Sequence, residues 1–221
     1  MDTAESIEAR GAGQAAAALK RVPRGAARRR QIAAVAEAIF LERGYSDATM
    51  QAIATRAEAS KETLYRHFGS KAELFAAVVR ARAQKLDAVS DELRGAPHAA
   101  LSGFCAYLLR FVTQPDSLRL YRVVLAESPR EPELGRIFFE LGPGRLIDRL
   151  AGYLAAATAA GALSCPEPLA AARLLVGAVV AWPQMATLIL DAPPAAELDR
   201  HAREAVVMFL ARFGVAGAPA G

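Results

Sequence analysis

The chain has 221 residues, of which 53% are hydrophobic and 23% charged, and its formal net charge is +4. This composition is that of a globular protein large enough to bury a real core, and it excludes an intrinsically disordered chain. Ala, Leu, Arg and Glu predominate and no apolar run alternates with a period of two, so we expect an all-α fold.

Outside the predicted helices, residues 1–22 show no sustained amphipathic period, and we expect a mobile arm there and a similar tail at 214–221. Met1–Gln14 carries acidic residues and no apolar core, which argues against a secretory signal and for a cytoplasmic protein. Leu169–Leu190 is long enough to span a bilayer, but Arg173 interrupts it. A helix buried in a subunit interface is the preferred interpretation, so we expect no membrane partner.

Gly and Pro residues divide the remainder into about nine helices, with a further short one around Glu133–Leu141. The first four predicted helices run from about Arg24 to Arg43, from Thr49 to about Ala57, from Lys61 to Phe68 and from Ser70 to near Gly95. The next two begin at Pro97 and at Pro115. The last three run from about Gly144 to Ala160, from Pro166 to about Leu190 with a kink at Pro183, and from Ala195 to Phe213.

Four of these helices carry recognisable start and stop signals. Thr49 and Ser60 are predicted N-caps, and Gly44 supplies a left-handed stop. Ser70 and Glu73 have capping-box spacing, in which the Ser70 oxygen accepts from the Glu73 amide and Glu73 should reach back to the Ser70 amide.

The stretch 49–68 is the most informative part of the chain. It contains two helices of about two turns each, joined only by residues 58–60, too short a link for an antiparallel pair. The two helices must therefore cross steeply, the geometry that lets a second helix protrude into a DNA major groove. Apolar residues can pin the pair against the first helix: Ile53, Leu64 and Phe68 against Ile39 and Phe40.

Helical angles divide the second of these helices into faces. Leu64 and Phe68 point toward the core, and the opposite side presents the candidates for base contacts, which are Lys61, Glu62, Thr63 and Arg66. Arg66 suits guanine, Glu62 suits cytosine, and Thr63 suits a thymine methyl. The candidates for phosphate contacts are Arg28, Arg29, Arg30, Thr49, Ser60, Tyr65, His67 and Lys71. The segment 20–71 carries a net charge of +6 against −2 for the rest, as expected where one end meets a polyanion.

On these residues, Arg29–Leu86 resembles the DNA-binding domain of the TetR family of bacterial regulators. The positions that carry the resemblance are Ile32, Ala36, Phe40, Gly44, Tyr45, Thr49, Ile53, Ala54, Ala57, Ser60, Lys61, Thr63, Leu64, Tyr65, His67, Phe68, Lys71 and Leu74. The resemblance implies base contacts for the same four residues of the second helix as the helical angles do, and it implies phosphate contacts for Thr49, Tyr65, His67 and Lys71. Two departures stand out: Glu58-Ala59 replaces the usual Gly-Val, and Glu62 replaces what is often a small residue.

The second half resembles a known domain only loosely, through Leu120–Leu150 and the AefR-like type of C-terminal domain. Family resemblance implies a homodimer in which Pro166–Leu190 and Ala195–Phe213 form a four-helix bundle, a palindromic operator, and an effector whose binding releases DNA. The effector is unknown and expected to be largely apolar. The candidate pocket residues are Phe104, Tyr107, Phe111, Tyr121, Phe138, Phe139, Tyr153, Trp182 and Met185.

These inferences predict a DNA-binding domain at 23–88, with its helix-turn-helix at about 49–68, and a regulatory and dimerisation domain at 89–213. A transcriptional activator with the same DNA-binding domain and a helical interaction module that binds no DNA remain alternatives, and salt dependence of DNA affinity separates the latter.

Catalytic and metal chemistry are not expected. His67, His98 and His201 are dispersed, and the two cysteines form no C-x-x-C pair. No phosphate loop or nucleophile-elbow motif appears. We therefore expect no enzyme activity, no catalytic residues, no metal and no cofactor, and we expect Cys105 and Cys165 to be buried thiols.

Overall fold

The structure is a computed structural model that describes residues 24–90, 93–190 and 194–215. Within these ranges the chain forms ten α-helices and no β-strand, which confirms the all-α prediction. The helices are α1 (Arg24–Arg43), α2 (Met50–Arg56), α3 (Lys61–His67), α4 (Lys71–Ser90), α5 (Pro97–Val112), α6 (Pro115–Glu127), α7 (Pro132–Phe139), α8 (Arg145–Ala159), α9 (Pro168–Ile189) and α10 (Ala195–Phe213). The predicted arm at 1–22 and residues 216–221 of the predicted tail lie outside the described residues.

The capping box at the start of α4 differs from its prediction in one partner. The Ser70 Oγ accepts from the Glu73 amide at 3.1 Å, as predicted. The Glu73 carboxylate accepts from the amide of Gly69 at 3.0 Å rather than from that of Ser70, so the predicted return bond is wrong by one residue. Gly69 has no side chain, and the carboxylate lies against its bare backbone, where a Cβ would stand 3.4 Å from the Glu73 oxygen.

The sequence Gly142-Pro143 does not separate two helices. α7 passes directly into a π turn at Glu140–Gly144, and the π turn passes into α8. Pro143 has no amide hydrogen and its ring crowds the preceding turn, a conflict that the wider π turn relieves. The predicted segments Glu133–Leu141 and Gly144–Ala160 therefore form one continuous helical run.

The amino-terminal core is built from α1 to α4. Its centre is a set of aromatic rings, Phe40, Tyr45 and Phe75, whose centroids lie 5.5–5.7 Å apart. Burial raises the pKa of Tyr45 to about 12, so its hydroxyl stays protonated. The same core includes Leu120 and Val124 of α6, which packs on α1. The predicted regulatory half is thus in direct contact with the amino-terminal helices.

A second core holds α5, α8, α9 and α10 together, and both cysteines lie in it. Cys105 and Cys165 are free and buried, as expected. Burial raises the pKa of the Cys105 thiol to about 12, which keeps it in the unreactive protonated form.

Helix α9 is long and apolar enough to cross a membrane by length and composition, a property that it shares with core helices of soluble proteins. It begins at Pro168, not Pro166, and stays helical through Pro183. One face packs on α5, α8 and α10 through Ala172, Leu175 and Val179. The other face of α9 is exposed, so that apolar side chains face solvent along most of the helix.

Candidate nucleic-acid interface

Both short helices begin at the predicted caps. The Thr49 Oγ1 accepts from the Ala52 amide at 3.1 Å, and the Ser60 Oγ accepts from the Thr63 amide at 3.0 Å. Each bond satisfies a backbone donor that has no partner inside its helix. These two local contacts therefore set where α2 and α3 start.

The turn between α2 and α3 is left-handed at Glu58. This residue has φ of 49°, the one positive φ of a non-glycine residue in the described ranges. The Glu58 amide donates to the Thr55 carbonyl at 3.1 Å and the Ala59 amide to the Ala54 carbonyl at 3.0 Å. This is the Schellman arrangement, which normally has glycine at the left-handed position. The departure noted in the sequence thus falls on the one described non-glycine residue whose backbone conformation favours glycine.

Two arginines of α1 hold this helix pair. Arg28 donates to the carbonyl oxygens of Ala57 and Glu58, at 2.9 and 2.8 Å. Arg29 donates to the His67 carbonyl, and its guanidinium lies 4.4 Å from the centroid of the Phe68 ring. Both were expected to contact phosphates. In the structure each already binds backbone, although a guanidinium has five N–H donors and retains some for another partner.

The faces of α3 are arranged as the helical angles predict. Leu64 and Phe68 are fully buried. Lys61, Glu62, Tyr65 and Arg66 are exposed, and Thr63 and His67 are half-buried. The candidate base-contacting residues thus lie together on the outer side of one short helix.

Two more of the candidates for phosphate contacts, Ser60 and Lys71, already make hydrogen bonds within the chain. The Ser60 hydroxyl donates to the Thr63 Oγ1 at 2.8 Å. Lys71 Nζ donates to the carbonyl oxygens of Tyr45 and Ser46, at 2.9 and 3.3 Å, and lies 4.3 Å from the Tyr45 ring centroid. The Arg30 side chain is exposed and makes no hydrogen bond within the described residues. The candidate phosphate contacts therefore divide into residues that brace the fold and residues that do not.

An exposed ion pair connects α2 to α1. Arg56 binds the Glu42 carboxylate of α1 through both guanidinium nitrogens, one of them at 2.8 Å. The hydrogen bond from Arg56 holds the pKa of Glu42 below its usual value. Because both side chains are about half exposed, this pair contributes little stability and chiefly orients α2 on α1.

A cavity of about 400 Å³ lies behind these helices, with walls from α4 to α9 and the π turn. Four of the nine candidate pocket residues line it: Phe111, Tyr121, Phe138 and Phe139. The other five lie elsewhere. Phe104 is buried in the second core, and the hydroxyls of Tyr107 and Tyr153 bind the carbonyls of Lys85 and Gly95. Trp182 and Met185 are exposed on the outer face of α9.

Two family models match this chain. Residues 32–78 match the model for bacterial regulatory proteins of the tetR family, and residues 99–215 match the C-terminal domain of AefR-like transcriptional repressors. The second match covers more than half of the chain. The chain belongs to the TetR family.

Solved structures of TetR-family proteins have the same fold over most of their length. A TetR-family transcriptional regulator from Mesorhizobium loti is 31% identical with a TM-score of 0.78, over 88% of this chain and all of that one. The flavonoid-responsive regulator FrrA is 28% identical with a TM-score of 0.72, over 86% and 98%. SmeT, the repressor of a multidrug efflux pump of Stenotrophomonas maltophilia, is 26% identical with a TM-score of 0.59, over 87% and 94%.

A curated relative matches over a shorter range. The HTH-type transcriptional activator FasR of Mycolicibacterium smegmatis is 41% identical over 88 residues, which are 38% of this chain and 40% of FasR. The matched part is thus less than half of that relative.

The sequence alone predicted the TetR-family resemblance. It did not predict one buried charge, which lies beside the cavity. Arg82 of α4 is only 8% exposed and pairs with Glu37 of α1. A signal for it exists: Arg82 occupies the buried stripe of α4 that continues from Phe75 and Val79 at helical spacing. A lone arginine on such a stripe requires an acid partner.

Proposed function

We propose that this chain is a ligand-released repressor that reads a palindromic DNA operator as a homodimer in the cytoplasm. The observation that carries the proposal is the outer face of α3, polar and exposed, on a helix pinned from behind by Leu64 and Phe68. A helix held in this way suits insertion into the major groove. We assign the DNA-binding domain to residues 23–88 and the regulatory domain to 89–213.

Base contacts are assigned to Lys61, Glu62, Thr63 and Arg66. Arg66 is exposed and suits a bidentate contact to guanine, and Glu62 is exposed and suits the amino group of cytosine. Phosphate contacts are assigned to Arg30, Thr49, Ser60, Tyr65, His67 and Lys71, together with the remaining donors of Arg28 and Arg29. In this scheme Arg28 and Arg29 also place α3, because their guanidinium groups bind its flanking carbonyls.

Dimerisation is assigned to the outer faces of α9 and α10. These faces expose several large apolar side chains: Leu169, Leu174, Trp182, Met185, Ile189, Val207 and Met208. A surface of this kind is unfavourable in water and is typical of subunit contacts. Two such helices from each copy form a four-helix bundle around a two-fold axis, which sets two α3 helices about 34–36 Å apart for a palindrome.

The effector site is assigned to the cavity. An effector that binds better to the conformation with wrongly spaced α3 helices shifts the population away from the DNA-binding form. The relative FrrA is described as flavonoid-responsive, and the aromatic walls at Phe111, Tyr121 and Phe138 suit a flat apolar molecule of that general kind.

Selection of bound fragments from random duplex DNA tests the DNA-binding part of this proposal. We expect a palindromic consensus with half-sites about one helical turn apart. In the consensus selected by the variant R66A, the base preference at one position of each half-site should be weakened or lost. The control R136A removes an exposed arginine of α7 and should leave the consensus unchanged. Absence of any enriched sequence would overturn the proposal.

Activation is the second candidate, favoured by the match to the activator FasR. The same DNA contacts serve either outcome, since the position of the operator relative to the promoter decides it. Deletion of the gene, with a reporter behind the selected operator in its natural position, separates the two. Repression predicts a rise in reporter expression, and activation predicts a fall.

A further inference from the structure

The cavity wall is almost wholly apolar. Among the described residues that line it, four have side chains with polar atoms: Arg82, Ser117, Tyr121 and Gln184. A pocket of this kind derives its affinity from burial of apolar surface and its selectivity from the few polar groups that remain available to a ligand. The chemistry of the ligand therefore depends on which of these four groups already have partners.

The charged group among these four, Arg82, already pairs with a carboxylate and with a hydroxyl. Its guanidinium pairs with the Glu37 carboxylate, donates to the Ser117 Oγ at 2.9 Å, and has its carbon 6.0 Å from the centroid of the Phe111 ring. An anionic ligand would have to share this cation with Glu37 or displace it. Displacement would leave the largely buried Glu37 carboxylate without its partner, which is strongly unfavourable.

Of the three neutral groups, Ser117 already accepts from Arg82, and the other two are available. Neither the Tyr121 hydroxyl nor the Gln184 amide makes a hydrogen bond within the described residues. Tyr121 belongs to α6 and Gln184 to α9, so the two helices each present one neutral hydrogen-bonding group to the same space. Together they can donate to and accept from a hydroxyl, ketone, ester or amide.

We infer that the cavity takes an uncharged, largely apolar molecule with a neutral hydrogen-bonding group, held by Tyr121 and Gln184, and that the Glu37–Arg82 pair excludes anions. As a statement about the effector, this inference rests on the proposed regulatory function. As a statement about binding, it concerns the cavity directly and is measured without DNA.

The test compares two probes with one scaffold, para-hydroxybiphenyl, which is neutral at pH 7, and para-carboxybiphenyl, which is an anion. Isothermal titration calorimetry on the full chain should show tighter binding of the hydroxyl probe, by about tenfold or more. Y121F and Q184L should each weaken that binding by about fivefold, the loss of one hydrogen bond. Y107F is the control, because the Tyr107 hydroxyl binds the Lys85 carbonyl outside the cavity wall.

A second variant tests the role of charge. E37Q removes the anion beside Arg82 and should raise the affinity for para-carboxybiphenyl by about tenfold. The preference for para-hydroxybiphenyl over para-carboxybiphenyl should then become smaller or reverse. The control E42Q removes the carboxylate of the exposed Glu42–Arg56 pair on the same helix and should change neither affinity. Thermal unfolding of each variant checks that it is folded.

Equal or tighter binding of the carboxylate by the unmodified chain overturns the inference, and so does failure to bind the hydroxyl probe. An E37Q variant that behaves like E42Q overturns the role given to Glu37. Selection from random DNA on the same preparation tests the proposed function separately. Palindrome enrichment without the probe preference would reject the inference and keep the function.

Discussion

The carboxylate of Glu127, the last residue of α6, accepts hydrogen bonds from both the backbone amide and the hydroxyl of Ser46, the amide at 3.2 Å. Ser46 lies in the loop between α1 and α2, and its carbonyl accepts from Lys71. Residues of α6 also line the cavity, among them Ser117, Leu120 and Tyr121. One helix thus connects the cavity wall to the loop that precedes α2.

Replacement of the Glu127 carboxylate by a neutral amide should lower the stability of the protein at neutral pH and make that stability less dependent on pH. The hydrogen bond from Ser46 holds the pKa of Glu127 below the ordinary value of 4.5. A depressed pKa means that the stabilisation is present above about pH 4.5 and is lost as the pH falls through the lower folded value. We expect E127Q to lower the free energy of unfolding by up to about 1 kcal/mol at pH 7, since the contact is exposed, and to lose less stability than the unmodified protein on acidification.

Urea unfolding of both proteins at neutral and acidic pH measures this difference. E131Q is the control, because Glu131 is exposed and its side chain accepts no hydrogen bond within the described residues. Equal pH dependence of E127Q and the unmodified protein would contradict the assignment.

Replacement of Glu58 by glycine should stabilise the protein. The φ of 49° is costly for a residue with a Cβ and free of strain for glycine, which outweighs the extra freedom of glycine in the unfolded chain. We expect E58G to raise the free energy of unfolding by up to about 1 kcal/mol. A59G should lower it, since the φ of Ala59 is not positive. Urea unfolding of the two variants decides the point, and a destabilised E58G would show that the Glu58 side chain matters more than its backbone.

Glu62 should influence DNA preference through its charge. It is exposed on the outer face of α3, where an uncompensated carboxylate repels phosphates unless it accepts from a base. We expect E62A to alter the selected consensus at one position per half-site or to strengthen non-specific binding. Fragment selection and titration of random duplex measure these quantities, with E133A of α7 as control. No change in either measurement would remove Glu62 from the interface.

Arg28 and Arg30 should differ in how their loss affects DNA binding. Arg28 binds the Ala57 and Glu58 carbonyls, so R28A should lower the unfolding free energy by about 1–2 kcal/mol as well as the DNA affinity. Arg30 has no such contact within the described residues, so R30A should leave stability unchanged. If it contacts a phosphate, the slope of log affinity against log salt should fall by about 0.9. Similar melting curves for both variants would contradict the bracing role of Arg28.

A charge on the outer face of α9 should dissociate the proposed dimer. Leu174 is 68% exposed in the single chain, and a carboxylate there would be buried without a partner in a four-helix bundle. We expect L174E to be monomeric by sedimentation equilibrium and to lose tight operator binding. A34E adds the same charge to an exposed position of α1 and should keep the original oligomeric state. A dimeric L174E would place the subunit contact elsewhere.

Several features of this protein were determined by the sequence because they depend on neighbours along the chain. The caps Thr49, Ser60 and Ser70 bond to amides three residues on, and Leu64 and Phe68 share one helical face at a spacing of four. Such contacts form within one turn, so residue type and spacing are enough to predict them. The left-handed residue at Glu58 was likewise marked by the position at which family members usually have glycine.

Only the tertiary structure decided the contacts that join distant segments. Glu37 meets Arg82 across 45 positions, and Arg28 meets Ala57 across 29, because α1 packs on α4 and α2. The same packing selects Tyr121 for the cavity wall and sends Trp182 to the outer surface of α9. Aromatic residues at helical spacing are alike in sequence, and only the positions of the neighbouring helices determine which of them line a cavity, fill a core or remain exposed to a second chain.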